Sequence, residues 1–274
     1  MIMLRTFITL TFIFIASSCF SRKLVEVDTV RYRFSFTAEL AMYDKPLLLP
    51  DEVTVDIGDR VTHCYSRWDQ GNKFLRDSIY RAGGTFEDYQ ESDKRYPACN
   101  FYERDIKNYP KKGVVTVSDD FRKCYIFEEP IEEKKWQLLD GDTIILGYPC
   151  KKASCDFRGR KWNVWYSLNI PISEGPWKLD GLPGMILKAE DSSFRFRFEC
   201  IGVKDKVNIP MVCDFGTPLK TTAKKVYELR KLQYTNYTAY TKAIGLYNKL
   251  PAEGKAMLES FHKTEPFLME YYDK

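Results

Sequence analysis

Arg158 and Arg160, in Phe157-Arg158-Gly159-Arg160, are the side chains of this sequence best suited to holding an anion. A guanidinium grips a carboxylate or phosphate through two parallel N–H bonds, so two of them on a glycine turn form a candidate anion site. The competing expectation is a turn at Gly159 with both arginines on a solvated face or paired with Glu174 or Asp156. It is preferred, because surface ion pairs are the commoner use of such residues. Nucleophilic catalysis has little to work with. His63 and His262 are the two imidazoles, and neither stands in a motif such as G-x-S-x-G. His63 falls on an expected strand beside Cys64 and should face solvent. Carboxylates are scattered, so a paired-carboxylate hydrolase lacks support. No catalytic residue, metal-ligand set or cofactor is assigned, and with no Cys-x2-Cys pair a zinc site is disfavoured.

The eight cysteines divide into Cys19, near the start, and Cys64, Cys99, Cys124, Cys150, Cys155, Cys200 and Cys213. Their meaning depends on the compartment, which the first residues address. Met1 to Arg5 carries one positive charge and no acid. An apolar run from Phe7 to Ala16 follows, then Ser17, Ser18 and Cys19. This is the form of a secretory signal peptide, and the run is too short to span a membrane. Two processing routes fit it. Ala16-Ser17-Ser18-Cys19 resembles a lipoprotein box in which Cys19 is acylated, although Ala16 stands where Leu is usual. Cleavage after Ser21 needs only small residues and is preferred. Either route implies export to the periplasm or outer membrane, with residues 22–274 as one domain. In that setting the seven later cysteines read as disulfide partners with an odd thiol left over, their connectivity open.

Beyond the signal, 41 basic and 38 acidic groups remain, too balanced and too mixed to imply nucleic acid. Aromatic residues make up 15% of the chain, ample for a core. No second long apolar run predicts a transmembrane span.

The elements that would position these residues are mostly strands. Val30, Tyr32, Phe34, Phe36, Ala38 and Leu40 alternate with Arg31, Arg33, Ser35, Thr37 and Glu39, a period of two with one apolar face. Val53, Val55 and Ile57 repeat the pattern before a Gly58-Asp59 turn, and Val61–Tyr65 returns as a hairpin partner. Further strands are expected at 114–117, 124–127, 136–139, 143–148, 162–168, 185–189 and 194–201, with Phe194, Phe196 and Phe198 on one face. Short links rich in Gly, Asp and Ser suit antiparallel pairing. Residues 74–81 suggest a short helix inside a surface excursion near 66–112. After Pro218, Val226, Leu229, Tyr237, Tyr240, Ile244 and Tyr247 share one helical face, and Pro251 suits the first turn of another helix. The expected fold is α+β: a curved, mainly antiparallel sheet or partly closed barrel, with C-terminal helices against its apolar side.

The most distinctive stretch runs from Leu146 to Asp191. It contains Gly147-Tyr148 and Cys150, the Phe157–Arg160 motif, Ile170-Pro171-Ile172, Gly175-Pro176-Trp177 and Gly181-Leu182-Pro183-Gly184-Met185-Ile186. The stretch resembles the GLPGLI family of Bacteroidetes, with Met185 where Leu is usual, and weaker likeness extends through 53–76 and 198–202. The resemblance implies an exported protein of unassigned activity. Physically, Pro183 and Gly184 suit the second and third positions of a type II turn, with a positive φ at Gly184. Trp177 sits between this turn and the Gly175-Pro176 bend. There it either packs under the excursion, the preferred reading, or lines a ligand cleft. The functional expectation is a non-enzymatic envelope protein that binds an unidentified partner or apolar ligand on the concave face of its sheet. The alternative is an envelope hydrolase built from loop carboxylates with His63 or the Arg158/Arg160 pair.

Overall fold

Strand β2 (Tyr32–Ala41) shows how alternation becomes architecture: Phe34, Phe36, Ala38 and Leu40 are buried while most of the intervening residues are not. In the computed structural model, residues 24–41, 48–85, 87–88, 90, 95–119, 124–259 and 268–272 are described. The other strands are β1 (Leu24–Val30), β3 (Leu48–Ile57), β4 (Thr62–Ser66), β5 (Glu103–Lys107), β6 (Val114–Asp119), β7 (Tyr125–Pro130), β8 (Gln137–Ile145), β9 (Tyr148–Phe157), β10 (Arg160–Ser167), β11 (Met185–Asp191), β12 (Phe196–Lys204), β13 (Ile209–Asp214) and β14 (Leu219–Lys220). The helices are α1 (Arg67–Arg81), α2 (Ala223–Thr235), α3 (Tyr237–Ala243) and α4 (Ala252–Glu259).

Twelve strands form one sheet in the order β14-β7-β6-β5-β4-β3-β2-β12-β11-β10-β9-β8. Every neighbouring pair is antiparallel except β14 with β7. Its ends, β14 and β8, do not pair, so the α+β, largely antiparallel expectation holds and the sheet is open rather than a closed barrel. At the β8 end the chain meanders through two tight hairpins. Leu146-Gly147 and Arg158-Gly159 each have positive φ at both residues, the geometry of a two-residue type I′ loop.

Several boundaries differ from the sequence pattern. The run from Val30 to Leu40 is broken at Arg31: Val30 ends β1, which pairs with β13 in a separate two-stranded ribbon. The Asp28 carboxylate on that ribbon accepts the Arg60 and Val61 N–H groups and lies where a Cβ on Gly58 would be, which closes the turn after β3. Residues 136–139 and 143–148 largely merge into β8, with an irregularity between Leu139 and Asp142. Phe194 is half exposed in a turn at φ +56° and does not share the buried face of Phe196 and Phe198. Helix α1 begins seven residues earlier than its apolar residues suggest, because the Ser66 hydroxyl caps it by accepting the Asp69 N–H. The single helical face expected after Pro218 is interrupted at Asn236, whose side chain caps α3.

The main core lies on one face of the sheet. Phe34, Val55, Cys64, Asp105, Val117 and Phe127 are successive cross-strand partners and so share that inner face. Helix α2 covers one end of it, with Val226 packed against Val115, Val117 and Phe127. The β1–β13 ribbon covers the outer face of β4–β6, where Met211 and Cys213 meet Ile106 and Val61.

Candidate functional site

Strand β5 inverts the usual arrangement. Glu103, Asp105 and Lys107 point to the inner face, while Ile106 points outward beneath the ribbon. Three ionisable side chains facing a core need partners, since burying an unpaired charge is costly. The excursion between Gly175 and Gly184 brings them. It folds over the inner face of β4–β6 and carries Trp177, Lys178 and Asp180.

Lys178 Nζ lies 2.9 Å from Glu129 on β7 and 2.8 Å from Glu270 on the C-terminal segment. Lys107 Nζ contacts Glu174 at 2.7 Å and Asp180 at 3.2 Å, and Lys134 Nζ reaches Asp180 at 2.6 Å. Arg158 contacts Glu132 at 2.7 Å, Glu129 at 3.1 Å and Glu270 at 3.8 Å. Asp119 on β6 receives Arg230 of α2 at 2.7 Å. The Tyr272 hydroxyl donates to Glu129 at 2.9 Å, and the Tyr271 N–H donates to the Arg158 carbonyl. The C-terminal segment is thereby strapped to the motif residues.

The charges do not balance, and the electrostatics record the difference. Among the described residues, five cations (Lys107, Lys134, Arg158, Lys178, Arg230) meet seven carboxyls (Glu103, Asp105, Asp119, Glu129, Glu174, Asp180, Glu270). Two of these carboxyls, Glu103 and Asp105, are driven toward the neutral form. Burial, then Glu270, pushes Glu103 well above the usual carboxylate range. Burial raises Asp105 to about 7, and neither of its oxygens has a hydrogen-bond partner. Burial opposes the charge on Lys178, but the surrounding carboxyls, Glu270 first, outweigh it and hold the ammonium protonated. Burial would likewise raise Glu129, and Lys178 with Arg158 lower it instead.

A cavity of about 100 Å³ borders this cluster between the sheet and α2. Phe101, Phe127, Val226 and Tyr227 supply apolar walls, and Glu103 and Glu270 supply polar ones. Glu103 accepts the Trp177 indole N–H on Oε2 at 3.2 Å. A larger groove of about 710 Å³ crosses the outer face beside α1. There Arg33, Arg67 and Lys73 are each paired, with Asp56, Glu52 and Asp69. Among the described residues no group of His, Cys, Asp and Glu is arranged to hold a metal, and no helix is long and apolar enough to cross a membrane.

The sequence-derived residues fall as follows. Arg158 and Arg160 are not on a solvated face, and neither pairs with Glu174 or Asp156. Arg158 joins the cluster; Arg160 holds Asp191 at 2.8 Å and the Leu268 carbonyl at 2.9 Å. Both are bound to the protein's own groups because the C-terminal segment packs across their hairpin. Trp177 is completely buried against Trp162 and Phe157 at φ +54°, its N–H donated to Cys64 Sγ at 3.2 Å. The type II turn is not formed. Gly184 lacks a positive φ, which instead belongs to Gly181 at +95°. Gly184 is required for another reason: a Cβ there would lie 2.2 Å from the Ser167 carbonyl oxygen. Leu182 is buried in the main core and Pro183 is exposed.

His63 is buried, not solvent-facing. It lies under the ribbon, 3.7 Å from Cys213 Sγ, and burial, then Arg104 and Arg33, depresses it to about 3. Among the described residues the disulfide expectation finds no bonded pair between Cys64, Cys99, Cys150, Cys155, Cys200 and Cys213, all of them buried, and Cys124 lies 3.6 Å from the Ser118 hydroxyl. They are distributed over both faces of the sheet, where Cys64 accepts an N–H and Cys99 donates to the Phe101 carbonyl. Cys19 and His262 lie outside the described residues. Sequence reasoning missed Glu103, Asp105, Lys178 and Glu270. The Lys178/Asp180 pair beside Trp177 was the available signal, two charges inside an otherwise apolar motif.

No curated protein matches the chain. Two solved structures resemble it distantly: "Structure of PNGF-II in P21 space group", with 15% identity and a TM-score of 0.46, and "Structure of PNGF-II in C2 space group", with 14% identity and a TM-score of 0.45. Each aligns with 73% of this chain, which spans 32% of the length of those proteins. Residues 158–188, from the first motif arginine through the excursion into β11, match the family model described as "Protein of unknown function (Porph_ging)", a Bacteroidetes family consistent with the GLPGLI resemblance.

Proposed function

We propose that this chain is an exported envelope protein that binds a small ligand in the cavity between α2 and the inner face of β5–β7. The observation that carries the reading is the Glu103 carboxyl at the wall of an aromatic-lined cavity, where burial and then Glu270 push it well above the usual carboxylate range. Pockets of this kind combine apolar walls with a few oriented polar groups, and the polar groups select the ligand. The volume suits one ring or a short branched chain, comparable with cavities that hold benzene. A hydrolase using His63 is poorly served, because His63 lies on the opposite face. One using Arg158 and Arg160 is no better placed, because both are already bound to the protein's own groups.

The test is to purify the chain from its native envelope and identify small molecules released by organic solvent. Ala223, a lining residue at the start of α2, offers the control. Ala223→Trp should fill the space and, in protein shown to be folded by its melting curve, leave it empty of the molecule that wild type retains. Equal recovery from both proteins would overturn the binding reading. Export is tested separately: a chain lacking residues 1–21 should stay in the cytoplasm.

A further inference from the structure

The groove on the outer face of the sheet is separate from the cavity under α2, and the proposed function leaves it unused. Its volume, about 710 Å³, falls within the range of ligand pockets. One wall is helix α1, which buries none of its residues and so adds little to the core. Along that wall Arg67, Gln70, Gly71 and Phe74 follow one another at helical-neighbour spacing, and all border the groove. Phe74 is 70% exposed, a large apolar ring held in solvent. Glycine weakens a helix interior, and at Gly71 the structure shows what it permits. A Cβ there would lie 2.6 Å from the Tyr96 ring, which packs directly on the helix and also lines the groove.

The polar groups of the groove come as partnered charges. Arg67 holds Glu52 at 2.6 Å and Lys73 holds Asp69 at 2.6 Å, and all four line the space. Arg33 is bound to Asp56, and Arg104 donates to the Asp214 carbonyl and the Ser118 hydroxyl. An ion pair of this kind sets a donor beside an acceptor. A hydroxyl group uses both, because its oxygen accepts from the cation while its O–H donates to the carboxylate. From this arrangement we propose that the groove binds a neutral saccharide. Its hydroxyls bridge the Arg67–Glu52 and Lys73–Asp69 pairs, and a C–H face of one sugar ring rests on Phe74. Those C–H groups are slightly positive and meet the negative face of the aromatic ring.

Two other ligand classes fit worse. An anion would have to compete with carboxylates already in place on the arginines and on Lys73. An extended peptide would find no main-chain partner in the floor, because β2, β3 and β4 are each paired on both sides.

The experiment presents maltotriose, cellotriose, chitotriose, a sulfated heparin disaccharide and tetra-alanine to the purified chain in saturation-transfer NMR. At least one neutral trisaccharide should bind, and more tightly than the sulfated disaccharide or the peptide. Phe74→Ala should melt like wild type, because the ring is exposed, yet bind that trisaccharide at least about tenfold more weakly, as loss of an aromatic anchor does. Phe74→Trp should keep the affinity. Phe74→Leu, apolar but without a ring face, should lose it. No binding by any of the trisaccharides, or tightest binding by the sulfated disaccharide or the peptide, overturns the inference. Trisaccharide affinity that survives Phe74→Leu overturns it as well.

Discussion

The two halves of the sheet's inner face solve the same packing problem with opposite materials. From β2 through β12 to β9 the inward side chains are Phe36, Phe198, Leu187, Trp162 and their neighbours, with Trp162–Phe198 and Trp162–Trp177 ring contacts at 6.4 and 5.5 Å. From β5 to β7 the inward set includes Glu103, Asp105, Lys107, Asp119 and Glu129. The excursion spans the boundary, giving Trp177 and Leu179 to the first half and Lys178 and Asp180 to the second. Shape governs the apolar half, so substitutions that conserve volume are tolerated. In the charged half pairing governs, so a substitution that conserves volume but removes a charge is not.

That contrast is broken most severely at Lys178. Lys178→Met keeps nearly the same volume but leaves Glu129 and Glu270 facing each other beside Glu103, and should destabilise by about 3–5 kcal/mol in urea denaturation. Adding Glu270→Gln should restore part of the loss. A single variant as stable as wild type would mean that the cluster is solvated and the two halves do not differ.

Asp105→Asn tests the same half through pH. The folded-state pKa of Asp105 is raised to about 7 from 3.8. Between those values the folded chain holds a proton that the unfolded chain releases, so this contribution to stability falls as pH rises from about 4 to 7. Asn never ionises. The variant should match wild type near pH 4 and exceed its stability by roughly 2–4 kcal/mol at pH 8. His63, depressed to about 3, acts in the opposite sense by weakening the fold as pH falls below 6.5. It does so in both proteins and cancels in the difference. A difference that does not change with pH would show that Asp105 is ionised in the fold.

Gly184→Ala sits at the seam where the excursion enters β11. The added methyl meets the Ser167 carbonyl, and the loss should be about 1–3 kcal/mol, as for other overpacked sites. An unchanged melting temperature would mean that the excursion can lift from β10. The smallest effect belongs to the apolar half. Leu187→Met, fully buried on β11, should cost less than about 1.5 kcal/mol, and a loss as large as that of Lys178→Met would erase the comparison.

Residue patterns made most of the sheet legible and hid β5, the strand at the centre of the charged half. β2, β3, β6, β10 and β11 were all visible because their inward residues are mainly apolar and at least part of their outward face meets water. The alternation therefore marks both element and orientation. β5 reads Glu-Arg-Asp-Ile-Lys, and its one apolar residue faces outward beneath the ribbon. By pattern alone it is a polar loop inside an irregular stretch. β9, with Pro149 and two lysines, is obscured in the same way.

What the sequence determined by itself is the class of the fold, antiparallel sheet followed by C-terminal helices, because alternation and helical spacing are local properties of the chain. It also singled out Arg158, Arg160 and Trp177, though not their partners. The tertiary structure alone decided that the sheet stays open, that Gly181 rather than Gly184 takes the left-handed conformation, and that His63 is enclosed. It also decided that Glu103 and Asp105 are driven toward the neutral form. Each of those outcomes depends on groups distant along the chain, such as Glu270 against Glu103 or the ribbon over His63. Desolvation and Coulomb interaction act through space, so no local pattern records them.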